Sequence, residues 1–254
     1  MRLRIHWALT KELTFAQMKA RYRGTVAGFF WVILNPVLMY LAQGLIFKSV
    51  LKIKVPNYAL FLLGGLLPWT FVVTSLGMGV PVFQDSRQLL LAFRLPPFVL
   101  LASSILDNWI NFLAAFLLIL SGVSIFTPVN GRSLLLLPIA VLVLLAGVSG
   151  LLGCLSLLNV FYRDVRFITQ FAVNLMFFLT PIFYPVEYVP ADYRWLIGLN
   201  PLFALIDPVR RCVLGASLPD ILGALARSLA MTVILLGASL VLWKWRKNDF
   251  YHTL

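Results

Sequence analysis

The sequence predicts an all-α polytopic membrane protein with six transmembrane helices. Of its 254 residues, 61% are hydrophobic and 12% charged, with a mean hydropathy of +0.94; a soluble chain is about 45–50% apolar and about 25% charged. Charge-free stretches cover 24–47, 55–84, 108–131, 133–162 and 167–186. Each is long enough to supply the roughly 20 apolar residues of a membrane-spanning helix. The net charge of +12 would point to nucleic acid in a soluble protein. Here Lys and Arg are assigned to anionic lipid headgroups and to orientation in the membrane, and no nucleic-acid partner is expected.

Residues 1–23 form a basic arm with Arg2, Arg4, Lys11, Lys19, Arg21 and Arg23 against the one acid Glu12. Phe15, Met18 and Tyr22 recur at i, i+3 and i+7, the stripe of a helix lying in the membrane interface; a plain basic anchor is the alternative. No apolar core precedes a small-residue cleavage site, so no cleaved signal peptide is expected. The first span is placed at 27–49 with Pro36 inside it, and the second at 58–80 with Gly64, Gly65 and Pro68. Between Pro81 and Pro97 the connection Gln84-Asp85-Ser86-Arg87 to Arg94 reads as a short amphipathic helix. The third span covers 98–125 and holds Asp107. The fourth covers 134–160, with small residues at 146/150 and 149/153 for close helix contact. The fifth runs 167–184 and ends at Thr180-Pro181. Residues 186–220 mix charge with short apolar segments, placed as helices near 191–198 and 202–214 that are too short to span. The sixth span covers 221–243, before a basic, aromatic tail.

Six spans put both termini on one side. Thirteen of the 21 Lys and Arg fall on that side and eight on the other, which orients the termini to the cytoplasm.

The chain carries no G-x-x-x-x-G-K-[ST] segment and so no P-loop for ATP. His6 and His252 lie at the two ends and no two acids share a span, so no catalytic residue is assigned. Cys154 and Cys212 have no soft ligand nearby, and neither a metal site nor a disulfide is expected. Polar groups inside spans are costly against lipid and therefore informative. Trp31, Asn35 and Gln43 recur on one face of the first span, and Gln170, Asn174 and Phe178 on one face of the fifth. Amides hydrogen-bond hydroxyls and rings offer apolar platforms, which suits a sliding sugar chain; interhelical hydrogen bonding is the structural alternative. Asp107, with Ser103 and Asn111 four residues to either side, reads as a structural carboxylate bonded to a neighbouring helix or a second copy; a proton or cation site is the alternative. Arg210 and Arg211 beside Asp207 could attract a phosphate or diphosphate linkage, or face lipid headgroups.

Arg21-Tyr22-Arg23-Gly24-Thr25, Gly28, Trp31 and Leu34-Asn35-Pro36 resemble the opening of the ABC-2 type permeases that export polysaccharides. Tyr162-Arg163-Asp164-Val165, Thr180-Pro181-Ile182, Tyr184-Pro185, Asn200-Pro201-Leu202 and Arg210 follow in that family's order and spacing. The resemblance covers nearly the whole chain and is strongest with O-antigen and teichoic-acid exporters. It departs in the 84–94 connection, where Leu89-Leu90-Leu91 replaces a paired basic cluster.

The resemblance implies a single transmembrane domain over 1–254 that works as a homodimer in the bacterial inner membrane. Two copies of a separate ATPase would bind ATP and Mg, with no cofactor in this chain. The arm 1–24 and the connection 81–97 would meet that ATPase through Arg21, Arg23, Gln84, Asp85, Arg87 and Arg94. Spans one and five would line the channel, with Phe177 and Tyr184 beside the polar faces above. Residues 186–220 would be periplasmic gate elements carrying Asp207, Arg210 and Arg211, and Asp107 with Asn111 would be structural. The expected activity is ATP-driven export of lipid-linked polysaccharide. An ABC-2 drug or lipid exporter, and a membrane-embedded transferase acting on polyprenyl-linked sugars, are the alternatives.

Overall fold

The computed structural model describes residues 2–23, 30–50, 55–93, 95–127 and 130–254. All regular structure among them is helical. Four segments are long and apolar enough to cross a membrane: Tyr58–Gly79, Pro97–Phe126, Gly131–Phe161 and Leu218–Arg246. They match the second, third, fourth and sixth expected spans to within a few residues at each end. The first and fifth are shorter. Helix α1 (Arg2–Tyr22) precedes α2 (Trp31–Leu45), which has 15 residues and runs on into a wider five-residue turn at Ile46–Val50.

The helix α3 (Tyr58–Gly79) is the centre of the bundle. It is apolar on every side, as a helix surrounded by others must be, and Leu60 through Trp69 are buried without a break. Around it stand α2, α6 (Pro97–Phe126), α8 (Leu137–Phe161), α9 (Asp164–Leu179) and α11 (Pro201–Leu214). A one-turn helix, α7 (Gly131–Leu134), leads into α8 and is capped by Asn130, whose side chain accepts from Arg132 N.

The helix α12 (Leu218–Arg246) lies along α8. Glycines permit that closeness: a Cβ on Gly150 would sit 2.7 Å from Leu236 N, and one on Gly153 would meet Ser239 Oγ. Gly147 likewise accommodates Leu205 from α11. The close-approach positions are therefore 147, 150 and 153, where the spacing had pointed to 146/150 and 149/153.

The 81–97 connection is two helices, α4 (Val82–Asp85) and α5 (Arg87–Phe93), rather than one, with a break at Ser86. It packs at the same end of the bundle as the chain terminus. Val82, Phe83, Leu90, Leu157 and Phe250 form a small core there, with Phe250 on the last helix α13 (Phe250–Thr253). Gln84 Nε2 donates to Asn159 O at 2.6 Å and Tyr251 OH to Leu95 O at 3.1 Å. Helix α1 leans on α6 beside this core with Thr10, Thr14 and Met18 inward, and Phe15 outward. The Thr10 and Thr14 hydroxyls donate to carbonyls one turn back, so their burial leaves no donor unpaired.

At the opposite end two short turns, Val186–Tyr188 and Ala191–Tyr193, lead into α10 (Arg194–Leu199) and α11. Asn200 caps α11, accepting from Leu202 N at 2.9 Å and Phe203 N at 3.2 Å, and Pro201 takes the first helical position. The Asn200 amide also donates to Thr180 Oγ1 at 2.8 Å. Gly215, at φ +73°, ends α11, and Ala216 N returns to Arg211 O at 3.1 Å.

Candidate functional site

A cavity of about 310 Å³ lies between α2, α3 and α6, with Arg21 from the end of α1 and Phe177 from α9 on its walls. One side is aromatic: Trp31, Trp69, Phe71, Phe112 and Phe177. Phe71 packs on Phe112 with ring centres 5.2 Å apart and Trp69 on Phe177 at 6.0 Å, which holds the rings in place. The polar lining is Arg21, Asn35, Gln43, Thr70, Thr74, Asn108 and Asn111. The lining residues Trp31, Asn35, Met39 and Thr74 are exposed and mark the open side.

An ion pair stands at one edge. Arg21 Nη2 donates to Asp107 Oδ2, to Asn108 Oδ1 at 3.1 Å and to Met78 Sδ at 2.9 Å. Asn111 Nδ2 donates to Asp107 Oδ1 at 3.3 Å. Asp107 is 1% exposed, yet each of its oxygens has a donor. A buried carboxylate survives in a membrane helix when it is paired in this way. The pair is neutral as a unit and ties the arm to α6. Arg21, expected at an ATPase contact, thus directs its guanidinium into the protein, while Arg23, Asp85 and Arg87 are exposed and Gln84 is half-buried. Arg94 lies outside the described residues.

The two expected channel faces do not form one surface within the chain. Trp31, Asn35, Gln43 and Phe177 come together in the cavity. Gln170, Asn174 and Phe178 are exposed on the far side of α9, with Gln170 Nε2 donating to Asn174 Oδ1 at 3.3 Å. The inward side of α9 is Thr169 and Val173, so residues 170, 174 and 178 turn away from the bundle. Gln170 also borders a second cavity of about 240 Å³ with Arg166 and Thr169. Tyr184 is half-buried and its hydroxyl donates to Phe178 O at 3.0 Å. Trp69, Thr70, Thr74 and Asn108 were not singled out in the sequence. Thr70 and Thr74 are one turn apart in a mostly apolar span and Asn108 adjoins Asp107, which is the signal that marks them.

At the other end Arg210, read in the sequence as facing either a phosphate or lipid headgroups, turns inward. Its side chain enters the bundle between α3 and the end of α9, donating to Pro181 O at 2.5 Å and Ile182 O at 3.4 Å. Its guanidinium carbon sits 4.5 Å from the Phe61 ring centre. Burial draws its pKa down and nearby Asp207 pushes back, leaving about 10, so it stays charged at neutral pH. Gly64 and Gly65 make the room: a Cβ on Gly64 would lie 2.7 Å from Arg210 Cα, and one on Gly65 would meet Nη2. That guanidinium is buried away from the surface. Asp207 is shared by Arg211 at 2.8 Å and Arg227 of α12 at 3.3 Å. Among the described residues no cluster of His, Cys, Asp or Glu suits a metal ion.

Comparison with known proteins supplies the context. A model of the ABC-2 type transporter family matches residues 8–214. The chain belongs to that family. Similar proteins include the O-antigen export system permease protein RfbA of Myxococcus xanthus, 32% identical over 245 residues, 96% of this chain and 94% of that protein. Two proteins of the same name from Klebsiella pneumoniae are 30% and 29% identical over 195 and 198 residues, about three quarters of each chain. Membership makes this chain the membrane-embedded part of a transporter and accounts for four long apolar helices.

Proposed function

We propose that this chain is the channel-forming subunit of an ATP-driven exporter that moves a lipid-linked, O-antigen-like polysaccharide across the bacterial inner membrane. The observation that carries it is the match along nearly the full length of both chains to an O-antigen export permease. The lining of amides and aromatic rings in the cavity supports a hydroxyl-rich cargo.

In this reading α2 and α9, short as single helices, complete six spans, and both termini face the cytoplasm. Two copies associate along the exposed faces of α2 and α9, where Leu38, Leu41, Leu45, Phe167, Phe171 and Phe178 lie open. Two ATPase subunits, which carry ATP and Mg, bind the end where α1, α4, α5 and α13 gather. The segment 186–220 is a periplasmic gate in which Arg210 is an internal staple, Asp207 is buried and Arg211 lies nearer the surface. The arm 1–24, the connection 81–97 and this gate are parts of one transmembrane domain.

The test is deletion and complementation in the source bacterium. Loss of the chain should remove surface polysaccharide while the lipid-linked intermediate accumulates inside, and a plasmid copy should restore it. Unchanged surface polysaccharide in the deletion strain refutes the proposal. Co-purification with the ATPase tests coupling separately.

A further inference from the structure

Between Asp220 and Lys244 the helix α12 carries one charge, Arg227. It is exposed and shares a helix face with Gly223, Ala226, Ala230, Val233 and Ile234, all exposed and all apolar. Helix α12 packs chiefly on α8 and α11, which leaves this face open. Trp243 marks the interface at the far end, about 24 Å along the helix at about 1.5 Å per residue. A hydrocarbon layer about 30 Å thick measured from Trp243 ends a few ångströms beyond Arg227. Arg227 therefore stands just inside the apolar layer, where an unpaired cation is costly.

Its protein partner does not settle that charge. Arg227 Nη2 donates to Asp207 Oδ2 at 3.3 Å, and Arg211 Nε donates to the same oxygen at 2.8 Å. Two exposed guanidinium groups on one carboxylate leave one positive charge uncovered. Arg210 turns into the bundle toward the Pro181 and Ile182 carbonyls, and Asp220 is engaged by the Ser217 hydroxyl at the start of α12.

We infer that Arg211 and Arg227 form a site for the phosphodiester headgroup of an anionic phospholipid, at the membrane edge where α12 begins. A guanidinium has five N–H donors; each of these two spends one on Asp207, which leaves the others for phosphate oxygens. The side chains are 33% and 63% exposed, so those donors are open to a headgroup. The acyl chains then lie along the apolar face of α12. A phosphatidylglycerol headgroup carries the single negative charge that completes the cluster. Phosphatidylethanolamine adds an ammonium group and supplies no net charge. A lipid diphosphate carries more negative charge than the exposed cluster offers.

The inference rests on α12 crossing the membrane and not on the cargo. In the orientation proposed above the site faces the outer leaflet. The full chain is placed in phosphatidylcholine nanodiscs doped with phosphatidylglycerol or phosphatidylethanolamine carrying a diazirine near the glycerol. After illumination, crosslinks are mapped by peptide mass spectrometry. The phosphatidylglycerol probe should label α12 around Arg227 at least about fivefold more than the phosphatidylethanolamine probe. Arg227→Gln leaves Asp207 paired with Arg211 and should lower that labelling about fivefold, while labelling near the C-terminal Lys244 and Arg246 is unchanged. Arg211→Gln should act alike. Excess inorganic phosphate should not compete. If neither variant folds, the wild-type ratio of the two probes decides alone. Equal labelling by both probes, undiminished labelling in a folded variant, displacement by inorganic phosphate, or displacement by undecaprenyl diphosphate at a lower concentration than by phosphatidylglycerol overturns the site. If the deletion strain keeps its surface polysaccharide while selective labelling is seen, the export reading fails and the lipid site stands. If export is lost in that strain but labelling is not selective, the lipid site fails alone.

Discussion

Replacing Arg21 with Met should destabilise the protein more than any other change in the arm. It leaves Asp107, 1% exposed, with the Asn111 amide as its one remaining donor. Breaking a buried pair from one side costs about 3–5 kcal/mol, because an uncompensated charge stays in a low-dielectric site. The reverse change, Asp107→Leu, should cost less. The Arg21 side chain is 22% exposed, keeps Asn108 and Met78, and lies at a helix end from which a long side chain can reach water. The double variant removes both charges and should lie close to wild type, so the two effects are strongly non-additive. At about 2–4 °C per kcal/mol for a chain of this length, Arg21→Met should lower Tm on the order of 10 °C. Thermal unfolding in detergent, followed by tryptophan fluorescence, measures all four corners of the cycle. Additive single effects, or an Arg21→Met variant within about 1 kcal/mol of wild type, would show that the ion pair does not hold the arm to α6.

The glycines of α3 should divide sharply in the same assay. Gly64→Ala and Gly65→Ala collide with Arg210 and should cost about 1–3 kcal/mol or more as overpacking, whereas Gly77→Ala, with nothing within 4 Å, should stabilise by up to about 1 kcal/mol through helix propensity; equal effects would deny the Arg210 staple. Gly150→Val should wedge α8 from α12, and disulfide trapping between cysteines placed on the two helices should report the separation as slower crosslinking. Asn200→Asp keeps the α11 cap but loses the amide donor to Thr180, while Asn200→Ala loses both; a Tm for the Asp variant between wild type and Ala is expected, with the cap alone contributing about 1 kcal/mol.

The locations of four long helices were legible because each is a long apolar run with few charges, a signal local to the run. The two short helices placed near 191–198 and 202–214 fall close to α10 and α11, with Asn200-Pro201 between them as cap and first helical residue. The face of α1 that meets α6 was not legible. Phe15, Met18 and Tyr22 formed the more apolar stripe, yet Thr10, Thr14 and Met18 are the residues turned inward. Threonines spend their hydroxyls on the preceding turn and then pack as small apolar groups, which hydrophobicity alone does not register. The amide and aromatic faces of spans one and five were found as faces, but their directions differ, since periodicity along a helix says which residues share a side and not what that side meets.

From the order of residues alone came the helical membrane class, the absence of an ATP-binding loop, and the resemblance that membership in the ABC-2 family confirms. Tertiary packing settled which uniformly apolar helix stands at the centre, because lipid and protein interior are equally apolar and composition does not rank the helices. It also paired Arg21 with Asp107 across 86 residues of chain and drew Arg210 inward between two glycines of α3. Both cations lie in segments that read as surface. A buried charge requires a partner within hydrogen-bond reach, and that partner is supplied by a segment distant in sequence.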